Sequence, residues 1–281
     1  MTALGRWYSP TGLHPGDHVC WTFTDTADFS SAVLPFLDEG RRRGERLLLA
    51  GESQAALSAV MSALPERAAM LASGQLQIRT TAEIYGSGRE LDPVARVQNF
   101  RSEVDIALDR GHTGLRVAAD VSALARGGPE ERRQLHIYER LADALIGSVP
   151  ATGMCLYDAS LGDDVLGPLA VLHPVQHRGL QEPLGHLSGR GPRLALHGEL
   201  DHSLVDDVFP ALVDLACGAP GEVVLDLSDL DFLDVAGARM LARAVRLLAE
   251  VGVELRLAGA RRPVDRCLEL FDAVNGQVPG A

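Results

Sequence analysis

Gly221-Glu-Val-Val-Leu-Asp-Leu-Ser-Asp-Leu-Asp-Phe-Leu-Asp-Val-Ala-Gly-Ala-Arg-Met-Leu241 changes its hydrophobic period part-way along. Val223, Val224, Leu225 and Leu227 form an apolar run bounded by Gly221 and the Ser228-Asp229 turn, which predicts a buried strand. Asp234 then stands at an N-cap position, its carboxylate placed to accept from the first free amides of a helix. Beyond it Met240, Leu241, Ala244, Val245 and Leu248 recur at helical spacing and make one apolar face. Arg239, Arg243, Arg246 and Glu250 take the polar stripe. A strand that delivers a capped helix start to the surface suits a docking partner or a switch.

The same alternation extends in both directions. Leu194–Asp201 reads as a strand, Ser203–Ala216 as a helix, Val253–Leu257 as a strand and Pro263–Phe271 as a helix. Residues 192–281 therefore form a small α/β domain with a mixed sheet. Towards the N-terminus, strands are predicted at Asp17–Phe23, Arg46–Ala50, Gly74–Arg79, Leu115–Ala119 and Ala151–Tyr157. Helical patterns separate them, one opening at Asp92-Pro93 and one spanning Glu130–Ile146. A loop is expected at Tyr85-Gly-Ser-Gly88. This alternation implies a parallel sheet with helices on both faces over residues 15–176. Residues 1–14 are a lead-in, and residues 177–191, without periodicity, read as a linker.

Hydrophobic residues make up 46% of the 281, enough for an extensive core, and the net charge is -12. That balance opposes a general phosphate-binding surface, so direct contact with nucleic acid is not expected. All 26 basic residues are arginine, which excludes a lysine nucleophile or a phosphate-loop lysine. Arg41-Arg42-Arg43 reads as the solvated end of a helix. No apolar run reaches the roughly 18 residues of a membrane span, and Met1–Pro15 lacks the apolar stretch of a secretory signal. A cytoplasmic chain without a membrane partner is expected. Cys20, Cys155, Cys217 and Cys267 are too dispersed for a disulfide framework and read as buried thiols.

Leu194-Ala-Leu-His-Gly-Glu-Leu-Asp201, Val224-Leu-Asp-Leu-Ser228, Phe232-Leu-Asp-Val-Ala-Gly237 and Val253-Glu-Leu-Arg-Leu257 together resemble the STAS domain of bacterial anti-sigma-factor antagonists. The resemblance implies a partner surface at the helix start, comprising Asp234, Val235, Ala236, Gly237, Arg239 and Arg243. In phosphorylatable members an acceptor serine lies between the aspartate and the glycine. Val235 and Ala236 occupy those places here, and neither has a hydroxyl. Asp17-His-Val-Cys20, Gly40-Arg-Arg-Arg-Gly-Glu45 and Cys155-Leu-Tyr-Asp158 with His173-Pro174 resemble the MEDS domain, a bacterial sensory module.

The N-terminal layout is also similar to a RecA/KaiC-type ATPase core, with Leu115–Asp120 where a Walker B strand would end. Thr22-Phe-Thr-Asp-Thr-Ala-Asp28, however, has neither the glycines nor the lysine that cradle phosphates, and its two carboxylates repel them. A candidate ligand pocket at the carboxyl ends of the strands comprises His18, Cys20, Asp120, Cys155, Tyr157, Asp158 and His173. His18 and Cys20, two apart, share one strand face. Their donor types suit zinc, but the spacing is not that of a zinc finger, and the expectation is hydrogen-bonded lining with no metal and no cofactor. Asp120 and Asp158 suit capping as well as ligand contact.

The leading expectation is a non-enzymatic signalling regulator with no catalytic residues. Its sensory domain takes a small ligand or partner, and its STAS domain binds an anti-sigma factor or a kinase-like protein. Exposed helix faces also allow a homodimer. The alternative is a nucleotide- or metal-binding enzyme on a degenerate RecA/KaiC-like core.

Overall fold

The computed structural model describes residues 9–86, 91–177, 185–219 and 221–271 and the backbone of 5–6. Residues 1–4 and 7–8 of the expected lead-in, residues 87–88 of the expected loop, and residues 178–184 of the expected linker lie outside them.

The first half runs β1 (Gly5–Arg6), β2 (His18–Phe23), α1 (Thr26–Arg42), β3 (Arg46–Gly51), α2 (Gln54–Val60), α3 (Arg67–Ser73) and β4 (Leu76–Thr80). It continues with α4 (Thr81–Tyr85), α5 (Pro93–Asp109), β5 (Leu115–Asp120), α6 (Ser122–Ala125), α7 (Pro129–Ile146), β6 (Ala151–Asp158), α8 (Asp163–Ala170) and β7 (Val175–His177). Its sheet has the order β1-β7-β2-β6-β5-β3-β4, and every pairing is parallel. Strand alternation assigns the two faces. Val19, Trp21, Met154 and Leu156 join the core with Phe29, Phe36, Leu57 and Met61 from the helices after β2 and β3. Cys20, Cys155 and Tyr157 face the other way, against Leu135, Tyr138 and Ala142 of α7 and Leu166 and Leu169 of α8.

The motif Gly40–Glu45 has a structural reason. Arg116, on β5, is fully buried, and its guanidinium pairs with Glu45 and lies 4.7 Å from the centroid of the Phe36 ring. A Cβ on Gly40 would stand 2.6 Å from Arg116 Cδ and 2.7 Å from Leu47 Cδ2, so only glycine lets α1 approach here.

The second half runs β8 (Gly185–Arg190), β9 (Arg193–Leu200), α9 (Val205–Cys217), β10 (Glu222–Asp226), β11 (Leu230–Leu233), α10 (Val235–Glu250), β12 (Glu254–Ala258) and α11 (Arg262–Glu269). β9 pairs in parallel with β10 and β11, β10 in parallel with β12, and β8 in antiparallel fashion with β9. The chain is thus α/β throughout, a parallel sheet followed by a mixed one.

Two expectations are corrected. Residues 185–190, read as linker, are the antiparallel strand of the second sheet; two glycines, Gly185 and Gly189, hid the strand pattern. Gly189 sits at φ +129, and a Cβ there would meet Arg193 O at 2.2 Å. Cysteine burial is also mixed: Cys20 and Cys155 are buried, Cys267 is half-buried and Cys217 is exposed at the end of α9.

The halves share a core. Val171 and Leu172, just after α8, are fully buried among Leu187, Leu196, Leu212 and Leu215. Leu187 N also donates to Val171 O at 2.7 Å.

Candidate functional site

β2 and β6 run side by side with Cys20 opposite Cys155 and His18 opposite Gly153, so these side chains emerge on the face that α7 covers. On α7, Leu135, Glu139, Ala142 and Ile146 follow one another at helical spacing along the buried stripe, which places a carboxylate where the repeat calls for an apolar residue. His173 enters from the turn between α8 and β7. Four groups meet there. Cys155 Sγ lies 3.4 Å from His18 Nε2 and 3.4 Å from Glu139 Oε2. His18 Nε2 and His173 Nε2 each lie 3.5 Å from that same oxygen. Tyr157 donates its hydroxyl to Glu139 Oε1 at 2.7 Å, and His173 Nδ1 faces Leu169 O at 2.8 Å.

Burial and charge divide the protons among these groups. Burial alone would lower the pKa of His18, but Asp143 and Glu139 outweigh it and hold the imidazole at about 9. Burial would raise that of Glu139, yet the facing His18 charge keeps it well below the usual carboxylate range. Asp143 behaves likewise, between His18 and His186. His173 is lowered by burial and by the neighbouring His18 charge. Cys155 and Tyr157 are pushed well up, first by burial and then by the Glu139 charge. Alone, the cluster is therefore a His18–Glu139 ion pair ringed by a neutral imidazole, a thiol and a phenol.

A cavity of about 220 Å³ opens beside it, walled by His18, Cys155, Tyr85, Tyr138, Phe100 and Arg96. Tyr85 and Tyr138 meet edge to face, their hydroxyls 3.3 Å apart. Its lining is mixed, apolar from Leu48, Ile84, Phe100 and Val117 and charged from Arg79, Arg96 and Glu103.

Of the expected pocket residues, the fold brings together His18, Cys155, Tyr157 and His173, and Cys20 lies beside them in the apolar cluster. It does not bring Asp120 and Asp158 there. His18 opens β2 whereas those aspartates close β5 and β6, so the strand length separates them. Asp120 Oδ1 accepts from the amide and hydroxyl of Ser122, and Asp158 accepts from Ser160 N and pairs with Arg126 at 3.1 Å. Both border a second cleft at the carboxyl ends, with Glu52 and the start of α1. At that start Asp25 accepts from Asp28 N, and Asp28 accepts from Thr24 N. Carboxylates thus occupy amides that a phosphate would need.

In the second half, Asp234 caps α10 through Gly237 N at 2.7 Å and accepts from His202 N at 3.0 Å. Phe232 and Val235 beside it are each 48% exposed. Ala236 is half-buried, and Arg239 and Arg243 project outward, each over an aromatic ring, Phe271 and Phe209. Gly237 is structural, since a Cβ there would stand 2.7 Å from Leu200 O.

α7 also makes the seam between the halves. His136 Nδ1 lies 2.7 Å from Asp214 Oδ2, Arg140 donates to the carbonyls of Gly189 and Gly191, and Asp143 faces both His18 and His186. Nearby, Ser188 Oγ lies 2.7 Å from His197 Nε2, and Nδ1 of that ring is 3.5 Å from Asp229. The order is that of a hydrolase triad, but the second contact exceeds a hydrogen bond, so Asp229 does not hold the ring tautomer.

Residues 17–174, more than half of the chain, match the model of the MEDS family, described as MEthanogen/methylotroph, DcmR Sensory domain. The chain belongs to the MEDS family. After the MEDS domain, residues 186–275 match a STAS model described as Mlab, STAS domain. No curated protein matches the chain. Among solved structures, the DUF1998 helicase MrfA is similar at 14% identity and a TM-score of 0.32, over 84% of this chain and 37% of that one. The chain spans little more than a third of the helicase, and a likeness that weak supports no argument about the MEDS domain. Among the described residues, no helix is long and apolar enough to cross a membrane.

The site residues that sequence reasoning missed are Glu139 and Asp143. Their signal was present: both are acidic, four apart, and Glu139 interrupts the apolar stripe of α7.

Proposed function

We propose that this MEDS–STAS chain is a non-enzymatic regulator of bacterial signalling. The MEDS half takes a small ligand in the cavity beside His18 and Cys155. The STAS half passes the resulting state to a protein partner, an anti-sigma factor or a kinase-like signalling protein. One observation supports this above the others: α7 lines the buried cluster with Glu139 and Asp143 and contacts the second half with His136, Arg140 and Asp143. A shift of this one rigid element would be felt in both halves.

The partner surface in this reading is the start of α10, where Phe232 and Val235 expose apolar area around Asp234 and the guanidinium groups of Arg239 and Arg243 extend it. Val235 and Ala236 supply no hydroxyl, so the roughly two negative charges that a phosphate would add cannot form there. Control then falls to the MEDS half.

Capture from bacterial cytosol by the full-length protein, followed by mass spectrometry, tests the reading. An anti-sigma or kinase-like protein should be retained, and Val235→Glu should abolish its retention while the thermal midpoint stays unchanged. Retention that survives both Val235→Glu and Phe232→Asp would sink the proposed surface. Saturable ATP binding by calorimetry, or phosphate release from ATP, would overturn the non-enzymatic assignment.

A further inference from the structure

We propose that His18, Glu139, Cys155 and His173 form a tetrahedral site for a zinc-class divalent ion in the interior of the MEDS half. The four donor atoms all lie within 4.8 Å of one another, and every group is buried. Four of the separations are 3.4, 3.4, 3.5 and 3.5 Å. Bonds of about 2.0–2.3 Å from zinc to nitrogen, oxygen and sulfur give tetrahedral edges of about 3.3–3.8 Å. Four of the six edges already have the spacing of a coordination shell, and the other two lie within 4.8 Å.

The nitrogens are also oriented for it. His173 Nδ1 lies 2.8 Å from Leu169 O and donates to it, which leaves the lone pair on Nε2. That atom is fully buried, makes no hydrogen bond, and points at Glu139. An unbonded imidazole nitrogen in a closed interior is costly unless something there accepts its lone pair. His18 Nδ1 also makes no hydrogen bond; Asp143 Oδ1 lies 3.5 Å away as an ion-pair neighbour, outside hydrogen-bond distance. Tyr157 takes Glu139 Oε1, leaving Oε2 for the ion.

Charge and softness select the ion. Two neutral imidazoles, one thiolate and one carboxylate carry two negative charges, so a divalent cation makes the buried set neutral. Binding displaces the proton of His18 and the thiol proton of Cys155, and both leave to solvent. A set of two nitrogens, one sulfur and one oxygen suits zinc and not magnesium or calcium, which select oxygen. This proposal is independent of the STAS partner: failed protein capture leaves it intact.

The test uses the full-length protein. Elemental analysis after gel filtration should find close to one zinc per chain. Cobalt(II) added to chelator-stripped protein should produce the visible bands of a tetrahedral ion together with a thiolate charge-transfer band. Cys155→Ser should remove the charge-transfer band, and His173→Gln should bring the zinc ratio close to zero. Tyr157→Phe, which keeps every ligand, should weaken zinc about 10–100-fold in a chelator competition. Cys217→Ser, at an exposed thiol, should change nothing. The proposal fails if the wild-type protein yields no tetrahedral cobalt spectrum, a reading that requires no variant to fold. It fails equally if zinc survives both Cys155→Ser and His173→Gln.

Discussion

Asp143 Oδ2 lies 3.5 Å from His186 Nε2, and this contact crosses from the MEDS half to the first strand of the STAS half. The other oxygen of the same carboxylate faces His18, so one partly buried side chain touches the cluster in the MEDS half and the sheet of the STAS half together. Asp143→Ala leaves His186 without its carboxylate partner and His18 with Glu139 alone. The expected loss of stability is about 1–3 kcal/mol. Amide exchange should accelerate in Gly185–Arg190 and leave Glu254–Ala258 unchanged. Equal acceleration in both strands would contradict a local role at the seam.

Glu45 and Arg116 form an ion pair in which both side chains are almost wholly removed from water. Glu45→Ala leaves a guanidinium without its closest counter-charge in the core and should cost about 3–5 kcal/mol. Replacing both partners with methionine should recover most of that loss, because the penalty belongs to the unpaired charge. Denaturant midpoints of the two variants decide the matter, and an equal loss in both would refute it.

Leu172 belongs by sequence to the first half and by packing to the core of the second. Leu172→Ala should cost about 2–5 kcal/mol and should loosen α9 (Val205–Cys217) more than α1 (Thr26–Arg42) in hydrogen exchange. Protection lost mainly in α1 would show that the shared core does not behave as one unit.

Glu103 predicts part of the acid limb of stability. Burial would raise its pKa, but hydrogen bonds from Arg46 at 2.5 Å and Arg79 at 2.7 Å prevail and hold it below the ordinary value. The unfolded chain takes up this proton near pH 4.3, the folded chain only at lower pH. Between these limits the unfolded state binds more protons, so this stabilisation is present above about pH 4.3 and fades as pH falls through the folded pKa. Glu103→Gln should therefore be less stable than wild type at pH 7 and approach it in acid. A stability difference independent of pH would exclude this account.

Much of this protein was readable from local pattern. Strands recur at a period of two and helices at 3.6, so Val223–Leu227, Glu130–Ile146 and the cap at Asp234 announce themselves within a few residues. The absence of lysine, and of a hydroxyl at Val235 and Ala236, is likewise a fact of sequence with direct chemical consequences. His18 and Cys20 were correctly assigned to one face, because alternation needs no knowledge of the neighbours.

Tertiary structure decided what alternation could not express. His18, Glu139, Cys155 and His173 converge because parallel strands are joined by helical crossovers, which bring residues far apart in sequence onto one sheet face. No local pattern encodes that meeting, and Glu139 reads in isolation as an ordinary helical acid. The same holds for β8, whose glycines conceal it until β9 supplies the pairing partner, and for Leu172, whose burial depends on a sheet formed later in the chain. Asp120 and Asp158 show the converse: their position at strand ends was legible, but their hydrogen bonds to Ser122 and Ser160 are spent on local caps. Period determines which face a residue takes; only the packing of one element on another determines which residues it meets there.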